Sequence, residues 1–276
     1  MSFSKDVVCI IAEYLAEYQL LDWIDIKKID WSYLSKNPAA INLLKANPDK
    51  IDWYKISENS AAMELINANL DKIKWVFLSL NPAAIDLLTT NLDKIDWVCI
   101  SSNTAAIDLL KSHVNKISWH YLSKNPAAVE LLKLYPDNIC WGELSENPSA
   151  MDLILANPDK IYWYCLSQNP AAMDLLLANP DKIHWKTLSR NINAIDLLEA
   201  NQDKLSWYWI SSNPAAVEII KYNLDKISWQ CLSINPSAIN LLKENQDKIY
   251  WDLFSENPNI FEYRINPDLI NILLEI

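Results

Sequence analysis

The segment WYCLSQNPAAMDLLLANPDKIH, Trp163 to His184, holds two helix-starting signals and no glycine. In the first, Asn169 is a good N-cap and Pro170 stands at the first helical position, where its missing N–H is not needed. In the second, Asn179 and Pro180 repeat the device, with Asp181 in the first turn on the favourable side of the helix dipole. A residue before proline avoids the α region, so each Asn-Pro also closes the helix before it. The segment therefore predicts a short helix carrying Ile, Trp and Leu, then a short helix carrying Ala-Ala-Met-x-Leu-Leu. Helices this short are marginal alone and persist only by burying their apolar faces against neighbours.

Working outward, the same pattern fills the chain. Tryptophans stand at 31, 53, 75, 97, 119, 141, 163, 185, 207, 229 and 251, every interval being 22 residues. Counted from each Trp as position 1, the unit reads Trp-x-x-Leu/Ile-Ser-x-Asn-Pro-Ala-Ala-Ile-Asp-Leu-Leu-x-x-Asn-Pro-Asp-Lys-Ile-x. A fixed internal period of this size signals stacked repeats. The period also suits a leucine-rich repeat, but the inward strand slot of that pattern would here hold Lys36, Glu58, Ser102, Lys124 and Glu146, and its asparagine falls too early. The expected fold is all-α: an α-solenoid of eleven 22-residue two-helix repeats, with N- and C-terminal capping helices. Residues 1–28 are read as a helical cap, 29–262 as the repeat array and 263–276 as a closing helix. Stacked at ordinary helix spacing, such an array is an open rod about 90–110 Å long.

Composition narrows the chemistry. With 276 residues and a single glycine, the chain has no phosphate-cradling glycine loop and no dinucleotide fingerprint. A net charge of -11 and pI near 4.7 oppose a nucleic-acid footprint. No signal segment, membrane span or proline-free glycosylation sequon is read in the chain. The five cysteines are scattered without a CxxC, and the three histidines occupy different repeat positions, so no zinc set, triad, disulfide framework or cofactor is expected. A cytoplasmic, non-enzymatic protein is the natural reading.

Units of the form NP-x-A-I-x-L-L-x-x-NPDKI-x-W-x-x-LS resemble tandem repeats in uncharacterised proteins of giant DNA viruses of amoebae. The resemblance covers about residues 29 to 263. It implies a viral protein working inside an infected host cell and brings no assigned activity. The N-terminal stretch Ser4–Leu15 is also similar to the opening helix of an F-box, which implies a substrate receptor of a ubiquitin ligase. Too few residues precede the first repeat Trp for a whole F-box, and the usual leading Leu-Pro is absent, so a plain amphipathic cap is the preferred reading of residues 3 to 23.

The columns separate frame from surface. The Trp column fits the seam between units better than a stacking platform for bases or sugars. Asn at position 7 and Ser at position 5 are read as caps and partners of orphan backbone groups. Cys99, Cys165 and Cys231, which share position 3, are read as buried or half-buried small apolar residues. Positions 2, 6 and 22 vary freely, and position 3 less regularly, while the Ala-Ala helix keeps a uniform acidic outer face. Tyr and Trp are strong interface anchors. Tyr54, His120, Tyr164 and Tyr208 at position 2, Tyr162 and Tyr250 at position 22, and Trp209 at position 3 are thus the candidate residues of a scaffold that binds protein partners, host or viral, without nucleic acid or membrane. The apolar Pro267–Ile276 is a candidate self-association element.

Overall fold

The computed structural model describes residues 17–264, which form a regular succession of short helices and one two-stranded sheet. In the unit quoted above, the α-helix Trp163–Leu166 is followed by the 3-10 turn Pro170–Ala172, the α-helix Met173–Leu177 and the 3-10 turn Pro180–Lys182. The two helices expected per unit are thus four shorter elements. Ala172, at φ -94 and ψ 7, separates the Asn-Pro turn from the Leu helix, and Ile183, at φ -64 and ψ 124, is extended rather than helical.

The two asparagines play different parts. Asn169 Oδ1 accepts from the Ala171 N–H at 2.9 Å, as an N-cap should. Asn179 caps nothing ahead of it. At φ -134 and ψ 62 it turns back, and its Nδ2 donates to the Leu175 carbonyl at 2.9 Å, satisfying the C-terminus of the Leu helix. Helices here stop at extended residues, usually before a proline, and no described residue has a positive φ, which is how a protein with one glycine can turn so often.

Leu or Ile at position 4, Ala at 10 and Leu or Ile at 14 have almost no exposed surface in unit after unit, Leu122, Ala128 and Leu132 among them. The repeat tryptophans pack half-buried against this core. Between units runs a polar ladder. Asn125 Nδ2 donates to the Ser101 and Asn103 carbonyls of the preceding unit at 3.1 and 3.2 Å, and Ser123 Oγ donates to Trp119 O while accepting from the Cys140 N–H at 2.9 Å. These serines and asparagines are buried with every hydrogen bond made.

The ladder has no free ends. Asn37, in the first unit, donates from Nδ2 to the Asn257 carbonyl at 2.9 Å and the Ser255 carbonyl at 3.4 Å, both in the last. Ser255 Oγ accepts from the Asp30 N–H at 2.9 Å, and Lys28 lies 4.9 Å above the Trp251 ring. The array is a closed ring, not an open rod. Its last unit is composite: Trp251–Glu256 and Pro258–Ile260 supply the first half, and the 3-10 turn Ile26–Lys28 stands where other units have Asn-Pro-Asp-Lys. In place of the second helix are two strands, β1 (Glu17–Leu20) and β2 (Phe261–Arg264), paired antiparallel with Leu20 opposite Phe261. A bidentate Arg264–Asp22 ion pair at 2.8 Å and the Leu21 N–H to Ile260 carbonyl bond fasten the same junction.

The helical caps expected at the ends are corrected where they are described: 17–20 and 261–264 are strands that join the termini to each other. The F-box-like stretch Ser4–Leu15 and the closing segment Pro267–Ile276 lie outside the described residues.

For units related by rotation about one axis, separation grows with distance from the axis. Successive Asn-Pro-Ala-Ala turns are joined directly by Asn-to-Asn hydrogen bonds, and these turns and the Trp helices approach their neighbours within 8 Å at Cα. Successive Leu helices stand farther apart. The Asn-Pro turns therefore form the inner wall and the Leu helices the outer rim.

Candidate partner-binding strip

Position 2 faces outward from the Trp helices in most units, positions 3, 6 and 22 lie beside it with varying exposure, and several of these side chains touch from unit to unit. The Tyr54 ring meets Phe77 of the next unit at 5.9 Å, His120 reaches Glu143 at 3.6 Å, Tyr164 stacks on His184 at 4.6 Å, and Arg190 lies 4.5 Å over Trp209. Lys124 pairs with Glu146 at 2.5 Å across one boundary, and Lys36 bridges Glu58 at 3.3 Å and Glu256 at 3.2 Å across two, the second being the closing junction. Together these side chains make a continuous annular strip.

The structure exposes the residues singled out from sequence. Tyr54, Tyr162, Tyr164, Tyr208 and Tyr250 are each about half accessible, at 55%, 57%, 57%, 50% and 49%, although a Tyr ring left on a monomer surface forgoes its burial. His120 is exposed as well, whereas Trp209 is half-buried beneath Arg190. They do not converge on one pocket: Tyr162 and Tyr164 are neighbours on one helix start, Tyr208 adjoins Trp209 at 4.9 Å, and Tyr54, His120 and Tyr250 lie on other arcs. The same variable columns hold Lys186, Arg190 and Glu143, which the sequence does not single out, because a local pattern does not show which charge will find a partner.

The repeat tryptophans are poorly placed to bind anything. Lys at position 20 covers the ring in most units, as Lys50 covers Trp31 at 4.4 Å and Lys204 covers Trp185 at 4.6 Å. Tyr135 takes that role against Trp119, at 5.2 Å, in the unit that has Asn138 instead of lysine. Two strip cysteines are held as thiols: burial pushes Cys99 up to about 11 with help from Asp96, and Cys165 up to about 11 with help from Glu146. Cys231 is buried, and the Tyr208 hydroxyl is raised by its hydrogen bond to that thiol.

The hollows on the described surface are shallow. One groove of ≈ 270 Å³ lies on the strip, lined by Lys36, Asp52, Tyr54, Lys55, Glu58 and Phe77. Among the described residues no three His, Cys, Asp or Glu side chains are arranged to hold a metal, and no helix is long and apolar enough to cross a membrane. No family model, curated protein or solved structure matches this chain.

Proposed function

We propose that this chain is a non-enzymatic scaffold, a closed α-solenoid of eleven units that holds an annular strip of variable side chains for binding other proteins. The observation that carries this reading is the contrast between frame and strip. Core positions and ladder positions are nearly invariant from unit to unit, while the strip differs in every unit and leaves large tyrosines half exposed. A surface whose residues are freed from packing and yet rich in aromatic side chains supports protein recognition, since such anchors dominate interface energetics. The ring frame makes the strip rigid, so little ordering entropy is spent on binding. In the setting that the sequence resemblance implies, the partners are host or viral proteins in the cytoplasm of an infected cell.

Photo-crosslinking amino acids placed at Tyr164 or Tyr208 on the strip, and at Asp86 or Asp174 on the rim, test this in such cells. Protein adducts should form from the strip positions and disappear when the remaining two of Tyr54, Tyr164 and Tyr208 are replaced by Ala, with thermal stability kept. Adducts only from the rim positions, or none from any position, would overturn the proposal.

A further inference from the structure

The strip is not uniform in charge. On the arcs from Lys36 to Glu146 and again at Asp252 and Glu256, acidic side chains stand among the basic ones, and Lys36, Lys124 and His120 each have a carboxylate partner. Between Tyr162 and Tyr250 the strip positions hold no Asp or Glu at all. That arc keeps two cations, Lys186 and Arg190, both exposed and neither within salt-bridge distance of a carboxylate among the described residues. In a chain of net charge -11, a stretch that retains only positive charge is conspicuous. Arg190 is also held in place: its guanidinium carbon lies 4.5 Å over the Trp209 ring, and a guanidinium offers paired N–H donors to a planar, two-oxygen acceptor. Lys186 stands in the first turn of the short helix Trp185–Leu188, and Arg190 follows two residues beyond its end. Around the two cations are the exposed rings of Tyr164 and Tyr208 and, in the next unit, exposed Ile234.

Resting on the reading of the strip as a protein-binding surface, we infer that this acid-free arc docks an acidic, extended polypeptide segment, with carboxylates on Lys186 and Arg190 and apolar side chains against Tyr164, Tyr208 and Ile234. Charge complementarity argues for the partner's sign, and the flanking acids limit its length. Four unit steps at ordinary helix spacing cover about 32–40 Å, which an extended segment of about ten to twelve residues spans. A longer polyanion such as single-stranded nucleic acid would run onto Glu143 and Glu146 at one end and Asp252 and Glu256 at the other, so a short acidic peptide fits better.

Fluorescence anisotropy with a labelled synthetic peptide alternating glutamate with leucine and alanine, added to the whole protein, provides the test. Binding should weaken as salt rises and fall at least about tenfold in K186E/R190E, while K36Q, on a paired cation outside the arc, should stay within about twofold of the parent. R190K should show an intermediate loss, because a lysine keeps the charge but not the two-donor edge. All three variants change exposed side chains, and equal melting temperatures would verify their folding. Peptide affinity unchanged in K186E/R190E, or an oligothymidylate bound more tightly than the peptide, would overturn the inference. So would absence of peptide binding while Tyr164 still gives cellular adducts, an outcome that leaves the broader scaffold reading standing.

Discussion

At position 7 each asparagine does three things from inside the protein. Asn125 caps its own turn, with Oδ1 accepting from the Ala127 N–H at 3.0 Å, and ties two carbonyls of the preceding unit through one Nδ2. Alanine there would leave the part-buried Ala127 N–H and the buried Ser101 carbonyl without partners, the Asn103 carbonyl keeping only the Ala106 N–H, so Asn125→Ala should cost about 2–4 kcal/mol in urea unfolding. Asn125→Asp should cost more at neutral pH, since it keeps the acceptor, removes the donor and buries a charge against two carbonyl oxygens. Equal stability of the two variants would remove the ladder from this role. The adjacent N125A/N147A pair should depart from additivity, since Asn147 Nδ2 donates to the carbonyl of Asn125 itself. Half of this arrangement could be read from the sequence: an Asn before Pro announces a cap. The cross-unit half could not, because nothing local says which neighbour the amide's other end will meet.

Among the elements, the β1–β2 pair is the one that local patterns concealed. EYQL and FEYR are four-residue strands with no turn between them, and each alone resembles the end of a helical cap. The signal that could have exposed them lies in the remainders of the repeat. Ile24 to Asp30 reads as the tail of a unit without its head, and Trp251 to Ile260 as a head without its tail. Two complementary fragments at opposite ends of one chain describe a shared unit. Its fastening is partly electrostatic: the hydrogen-bonded Arg264 guanidinium holds the Asp22 carboxyl below its usual 3.8, and Arg264 also pairs with Glu262. A carboxyl with a depressed folded pKa contributes stability that is complete above its unfolded value and is lost as pH falls through the folded one. Hydrogen exchange at the β1 and β2 amides should therefore accelerate, relative to the internal units, as pH drops below about 3.8. Asp22→Asn should show the faster seam opening already at neutral pH and no further acid-dependent step from this pair. An acid response at the seam identical in parent and D22N would assign it to other groups.

For the whole molecule, the same axial advance that would make a rod instead makes a circumference. Position-by-position reading specifies the unit, its buried side and its exposed columns, but curvature comes from a small rotation per unit that no single residue encodes. A small rotation repeated from unit to unit brings the last unit back to the first, and the Asn37–Asn257 bond together with the β1–β2 pairing locks the closure. The two architectures differ in a directly measurable quantity. A rod about 90–110 Å long has a radius of gyration near 26–32 Å, whereas a compact chain of this length has about 19 Å. Small-angle scattering of the native protein should give the smaller value with a single maximum in the distance distribution. Gln19→Pro, which removes the N–H that faces Glu262 across the seam and cannot sit in its ladder, should shift the ensemble toward the larger value. The opened form would expose the unpaired ladder groups of the first and last units, so its apparent mass should also rise with concentration as ends meet between molecules. A native radius near 30 Å, or a Q19P variant as compact and monomeric as its parent, would show that the β1–β2 seam does not hold the circle shut.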